Sequence, residues 1–265
     1  MTSTFESLTD GIEFGLDGER LCFADTVRIT QEGHRTVGAM SSLYRHVDPA
    51  DEAVLYDTFY DVRDEADEDR MLSGKLAYSL TSIRQAPVGT ESAKTHGHVH
   101  SFEPDGFPPA EAYEVLSGSG VFFLQDLHAG PASRMVVAVH AEKGDVVVIP
   151  GGLYHCSVNA GEGRLVFADL CRRGMSDVYG DVREFGGFAY LRHLDGEYEP
   201  NPRYADVAGL KHVTAEEWAG GRIGSLYTTL RDDPAQLAWL WDRDEFVSRF
   251  PHLAEYAYPV GLAQP

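Results

Sequence analysis

Six short runs of β-branched and aromatic residues between Tyr78 and Leu170 constrain the fold more than anything else in the chain. They are YSLTSI (78–83), AYEVLSG (112–118), GVFFLQDL (120–127), MVVAVHA (135–141), DVVVIP (145–150) and RLVFADL (164–170). Branched and aromatic side chains suit a pleated surface, whereas the Gly, Pro and Asn clusters between the runs supply turns. Strand follows strand, without the alternation of strand and helix that a parallel sheet requires. The pattern predicts an all-β barrel or sandwich.

Two segments within this region carry chemistry. The first is Gly97-His98-Val99-His100, with Glu111 downstream; the second runs from Gly144 to Asn159 and contains His155. His98 and His100 are two apart, so on extended chain they share a face. Gly144-Asp145 turns into a strand, and Pro150-Gly151-Gly152 bends its end so that His155 points back into the barrel. Three imidazoles and one carboxylate are enough to hold one divalent metal. Glu114 is a rival carboxylate, but its odd offset from Glu111 sends it to the other face of a strand. Glu103 to Pro109 is turn chemistry and reads as a lengthened loop that leaves the ligands in register. His96 is read as a neighbour of the cluster and not a ligand. His46, His128, His140, His193, His212 and His252 are read as surface or satisfied core residues.

At 265 residues, 43% of them hydrophobic, the chain can build a sizeable core and fits one large domain or a domain with appendages. A formal charge of −20 repels phosphate backbones, so a nucleic-acid partner is excluded, and an anionic substrate must be held by local donors. No apolar run is long enough to span a membrane, and the polar, acidic start lacks the pattern of a signal peptide. The three cysteines, Cys22, Cys156 and Cys171, show no paired spacing, which fits a cytoplasmic enzyme with free thiols.

The organisation divides into N-terminal strands and loops packing on the barrel (1–76), the barrel (77–202) and a helical C-terminal extension (203–265). Asp61 to Arg70 reads as a solvated loop or helix face. Thr214 to Glu217, ahead of Trp218, is a capping-box pattern. Asp233-Pro234 opens a helical stretch whose apolar face comprises Leu237, Leu240, Trp241 and Phe246.

The paired motifs resemble those of the cupins, double-stranded β-barrels of the jelly-roll type. More narrowly, residues from about Tyr78 to Asn201 resemble the cupin-type glucose-6-phosphate isomerases first known from archaea. The resemblance is carried by Leu80-Thr81-Ser82-Ile83, Glu91, Lys94 to His100, Ala110-Glu111-Ala112-Tyr113, the second motif and Tyr179-Gly180. It implies a metal-dependent aldose–ketose isomerase of glycolysis and gluconeogenesis, with glucose-6-phosphate and fructose-6-phosphate as the pair. By position, the metal ligands would be His98, His100, Glu111 and His155, and the ion one of Fe2+, Mn2+, Ni2+ or Zn2+. Glu111 and Tyr113 would be catalytic. Thr81 or Ser82, Thr95 and the amide of Gly97 would hold the phosphate, Lys94 or Arg84 would add charge, and Tyr179 would line the sugar pocket. A homodimer is expected, because related barrels pair their sheets. Two departures stand out: Cys171 and its neighbours occupy the place of a family tyrosine, and Asp177 that of a family histidine.

The alternatives are a divergent cupin isomerase or epimerase acting on another small molecule, a non-catalytic sugar-binding cupin, and an iron dioxygenase. The last shares the metal shell but has no use for a phosphate cradle.

Overall fold

The computed structural model describes residues 5–101, 108–126, 132–133 and 135–257. His128 and most of the 103–109 loop lie outside them. The strands that build the two main sheets and the site are β1 (Gln31–Thr36), β2 (Val54–Tyr60), β3 (Leu76–Ile83), β4 (Val99–His100), β5 (Glu111–Ser117) and β6 (Ser119–Gln125). They continue with β7 (Val136–Glu142), β8 (Val146–Ile149), β9 (Tyr154–Asn159), β10 (Leu165–Arg172), β11 (Asp177–Val178) and β12 (Leu210–Thr214). One sheet has the order β8-β5-β10-β3-β2-β1, the other β9-β6-β7-β12, and β4 pairs with β11. All pairings within the two main sheets are antiparallel except β7 with β12. This is the all-β architecture that the six runs predict, in the double-stranded barrel form implied by the resemblance of the paired motifs to the cupins.

The two sheets meet through aromatic packing. Tyr113 on β5 lies 5.7 Å, centroid to centroid, from Phe122 on β6, and Phe122 lies edge-on to Phe167 of β10 at 5.5 Å. Rings of this size bury about 150–250 Å² each, so a few such contacts dominate the adhesion between the sheets. Val146 to Ile149 is buried throughout, as its unbroken apolar run requires. At its end, a Cβ on Gly151 would stand 1.8 Å from the Pro108 carbonyl oxygen, so the bend admits no side chain there.

β9 lies outside the six predicted runs. Its sequence, YHCSVN, has little branched or aromatic content, yet every residue is buried. Tertiary pairing compensates: β9 is an antiparallel neighbour of β6 over Gln125 to Gly120. Asn159 ends it with a satisfied buried amide. Its Nδ2 donates to the Gly163 carbonyl at 2.8 Å, and its Oδ1 accepts from the Gly161 amide at 3.1 Å.

The N-terminal region does more than rest against the barrel, since β1 and β2 extend its six-stranded sheet. The charged 61–70 stretch also differs from a wholly solvated face. Arg63 is 8% exposed, donating to Glu68 Oε1 at 2.5 Å and to Thr30 Oγ1 at 3.0 Å, while Glu68–Ser73 forms a short helix.

The C-terminal part is helical, beginning with α1 (Ala215–Ala219), α2 (Leu226–Asp232) and α3 (Arg243–Arg249). The Thr214–Glu217 capping box is present. The predicted helical stretch after Asp233 divides in two: a 3-10 turn over Pro234–Leu240, then α3, for which the Asp242 carboxylate accepts from the Asp244 and Glu245 amides. Asp242 restarts the helix because its side chain satisfies the free amides of the first turn. Of the two tryptophans in this stretch, Trp239 is deeply buried, at 2% exposure, and half-buried Trp241 instead lies under the Lys75 ammonium. Among the described residues no helix is long and apolar enough to cross a membrane.

Candidate metal centre and its cavity

Register carries one face of the large sheet across its strands and collects the site. Glu111 pairs with Ile149, Tyr113 with Val147 and Asp169, Thr81 with Phe167 and Thr58, and Gly33 with Thr58. Period two therefore places Glu111, Tyr113, Asp169, Phe167, Thr81 and Thr58 towards the lumen. His155 reaches the same spot from β9, and His98 and His100 from the chain around β4, where His98 forms a bridge with His155. Gly97 makes that approach possible. Its φ is +76°, and a Cβ would meet the Phe188 ring at 2.4 Å and Cys156 Cβ at 2.9 Å.

His98, His100, Glu111 and His155 each offer a ligand atom, and these atoms all lie within 4.8 Å of one another. His98 Nε2 is 3.1 Å from His100 Nε2 and 3.2 Å from His155 Nε2. Donors held about 2.1 Å from a shared ion stand roughly 3 Å apart, so this is the spacing of a ligand set. Glu111 Oε2 lies 3.0 Å from His155 Nε2 and 3.6 Å from His100 Nε2, yet this buried oxygen finds no hydrogen-bond partner. An orphaned carboxylate oxygen facing three converging imidazole nitrogens fits a divalent cation. His155 Nδ1 donates to the Leu153 carbonyl at 3.0 Å, which turns the Nε2 lone pair inward.

Electrostatics agree with that arrangement. Burial, reinforced by the neighbouring imidazoles, holds His98 well below the usual histidine range, and burial likewise lowers His100. Both therefore keep their lone pairs at neutral pH. Burial opposes charge on Glu111 as well, but His100 and His155 outweigh it and hold the carboxyl below its ordinary value. At His155 the Glu111 carboxylate overcomes burial and raises the imidazole.

A cavity of about 510 Å³ opens on the cluster, within the range of small-molecule sites. Of the sequence-predicted substrate residues, Thr81, Thr95, Gly97, Tyr113 and Tyr179 line it alongside His98, His100 and Glu111. Ser82 does not. Adjacent to lumen-facing Thr81, it must point outward, where its buried hydroxyl accepts from Arg164 Nη1 at 3.0 Å. The expected auxiliary cations are also elsewhere, for neither Lys94 nor Arg84 lines the cavity. Lys94 Nζ is bound to Glu91 Oε2 at 2.6 Å and lies over the Tyr44 ring. His96 shares the wall but is spent on structure: Nδ1 donates to the Gly97 carbonyl, and Nε2 accepts from Arg183 Nε at 3.2 Å.

Sequence reasoning missed part of the wall. β1 and β2 contribute Gln31, Arg35, Tyr56 and Thr58, and β10 contributes Asp169. Burial pushes Asp169 well above the usual carboxylate range. The lumen parity of β10 would have found Asp169, whereas QEGHRT in β1 carries no strand signal. Asp177, noted as a departure, stands at the cluster's edge. Its Oδ1 is 3.4 Å from His98 Nε2 and 3.6 Å from His100 Nε2, and Oδ2 accepts from the Tyr179 hydroxyl at 2.6 Å.

The family model of glucose-6-phosphate isomerase matches residues 30–208. The chain is 28% identical over 158 residues to the glucose-6-phosphate isomerase of Thermococcus kodakarensis, covering 59% of this chain and 76% of that protein. It is 30% identical over 133 residues to that of Pyrococcus abyssi, covering 49% and 66%. Among solved structures, an oxalate decarboxylase from Lactobacillus farciminis in a formate complex overlays 47% of this chain and 31% of its own at 16% identity. Its TM-score of 0.35 is too low to carry an argument.

Proposed function

The chain belongs to the glucose-6-phosphate isomerase family, and from that premise we propose that it interconverts glucose-6-phosphate and fructose-6-phosphate with one divalent metal held by His98, His100, Glu111 and His155. The observation that carries the reading is the convergence of these four donors at one end of a cavity lined by Thr81, Thr95 and Tyr179.

Aldose–ketose isomerisation moves one hydrogen from C2 to C1 and exchanges the carbonyl and hydroxyl between those carbons. A divalent cation, when bound, polarises both oxygens and stabilises negative charge developing on them. His98, His100 and His155 contribute neutral nitrogens, so the Glu111 carboxylate leaves a +1 centre. The Tyr113 side chain lines the cavity on the same strand face as Glu111. Burial first, then the charge of Glu111, pushes Tyr113 well above its ordinary range, so it stays a neutral donor beside the reacting carbons. Glu111 either takes the C2 hydrogen as a proton and returns it to C1, or stays a fixed ligand while the hydrogen passes directly between the carbons. Running the reaction in D2O separates the two: deuterium enters the product only by the first route. Thr95 Oγ1 accepts from the Ser157 amide at 3.0 Å, which leaves its hydroxyl proton to donate to the phosphate.

The test is turnover of a small panel of free and phosphorylated sugars by metal-loaded protein. Strong preference for the 6-phosphates is expected, and Thr95→Val should raise their KM roughly tenfold with the metal retained. Equal behaviour of free and phosphorylated sugars would remove the sugar-phosphate reading in favour of another small molecule. The homodimer belongs to the same reading, with light scattering at micromolar concentration as its check; a monomer refutes it.

A further inference from the structure

We propose that Arg35 selects a phosphate-bearing sugar over a free one by pairing its guanidinium with the phosphate. The inference rests on the isomerase reading and adds a residue to it. β1 is the edge strand of the large sheet, and Arg35 pairs with Tyr56 just as Gly33 pairs with Thr58, all four lining the cavity.

Two phenols stand by the guanidinium: Tyr56, its partner across the strands, and Tyr179 line the cavity with Arg35 and act on its charge. Burial keeps both phenols protonated, so they flank the cation without neutralising it. Two other cations near the site are committed. Arg173 makes paired contacts to Asp61, at 2.7 and 3.1 Å, and Lys94 is bound to Glu91. Among the described residues no carboxylate lies within ion-pair distance of Arg35, although Asp and Glu outnumber Lys and Arg by 42 to 22 in the chain. An aimed but uncompensated guanidinium in so acidic a protein suits a dianion, which its planar fork can bind in a bidentate manner.

Its position also fits the length of the substrate. The hydroxyl of Tyr179, which shares the cavity wall with Arg35, donates to Asp177, whose other oxygen is 3.4 Å from His98 Nε2. Arg35 thus stands one tyrosine and one carboxylate away from the four-donor cluster. A sugar with its carbonyl end at the cluster extends its phosphate towards this cation.

The experiment compares wild type, Arg35→Gln and Arg35→Lys as metal-loaded full-length chains, using fructose-6-phosphate as substrate and free fructose as competitor. Arg35→Gln is expected to raise KM for the phosphorylated sugar about ten- to a hundredfold, leaving kcat within roughly threefold and metal content and fructose inhibition unchanged. Arg35→Lys should recover part of the loss, because it restores charge without the fork. The inference is overturned if Arg35→Gln keeps KM within about twofold, or if it weakens phosphorylated and free sugar alike, as a merely structural residue would. Should wild type itself neither bind nor turn over sugar phosphates, the isomerase reading fails first and takes this inference with it.

Discussion

Glu111 and Glu114 are three residues apart on one strand, equally hidden at 3% and 6% exposure, and they do opposite things. Glu111 faces the lumen among three imidazoles, of which His100 and His155 hold it ionised against the cost of burial. Glu114 faces outward under α2, where it accepts the Leu226 amide at 2.7 Å, with no cation among the partners that set its acidity. Burial pushes it up to about 7. Burial alone therefore does not make a carboxylate functional; the charge of the groups across from it decides whether it is a ligand or a latch.

Substituting the two carboxylates by glutamine tests this contrast most severely. Glu111→Gln keeps the shape but loses the anionic ligand, so activity should fall at least about a hundredfold with loss of bound metal; Glu114→Gln should leave both near wild type. Comparable losses from both would erase the distinction. His155→Ala gives the same answer from the other partner, since metal content equal to wild type in elemental analysis would refute the four-donor assignment. Chelation should abolish turnover while circular dichroism keeps its β-barrel form, because the aromatic packing between the sheets does not depend on the ion.

A smaller effect should separate the faces by pH. Glu114 is more easily protonated folded than unfolded, so its contribution to stability is fully present below about 4.5 and is lost as pH rises to about 7. The shift corresponds to something on the order of 3 kcal/mol, or several degrees of melting temperature. Glu114→Gln, always neutral, should match wild type near pH 5 and melt higher than it at pH 8. Parallel melting curves at both pH values would show that Glu114 is not titrating in this window. Smallest of all, Trp218→Phe removes the indole donor to the Val148 carbonyl, 2.7 Å away, and should cost about 1 kcal/mol with activity intact.

What could be read from the sequence followed local rules. The parity of Glu111 and Glu114, the spacing of His98, His100 and His155, and the capping box of α1 each involve residues close in the chain or fixed by strand period. What could not be read depended on distant partners. β1 has no intrinsic strand preference and exists because β2 pairs with it, so Arg35 was invisible as a cavity residue. The outward turn of Ser82 follows from parity only once Thr81 is known to face the lumen. Arg173 is anchored by Asp61, 112 residues earlier, which no local pattern announces. The split at Asp242 is a contest between a helical face and a strong cap, and the cap wins.

The outer fastening of β5 sets the order in which the molecule can be completed. A chain leaves the ribosome from its N-terminus, and every strand of the large sheet precedes the extension. Until Leu226 has emerged, the Glu114 carboxylate under its future helix has no amide to bind, and until Trp218 has emerged, the Val148 carbonyl on the sheet's edge has no indole to meet. The strand that bears Glu111 is thus laid down early but seated late, and a nascent barrel stalled before residue 226 carries it with its back still open to water.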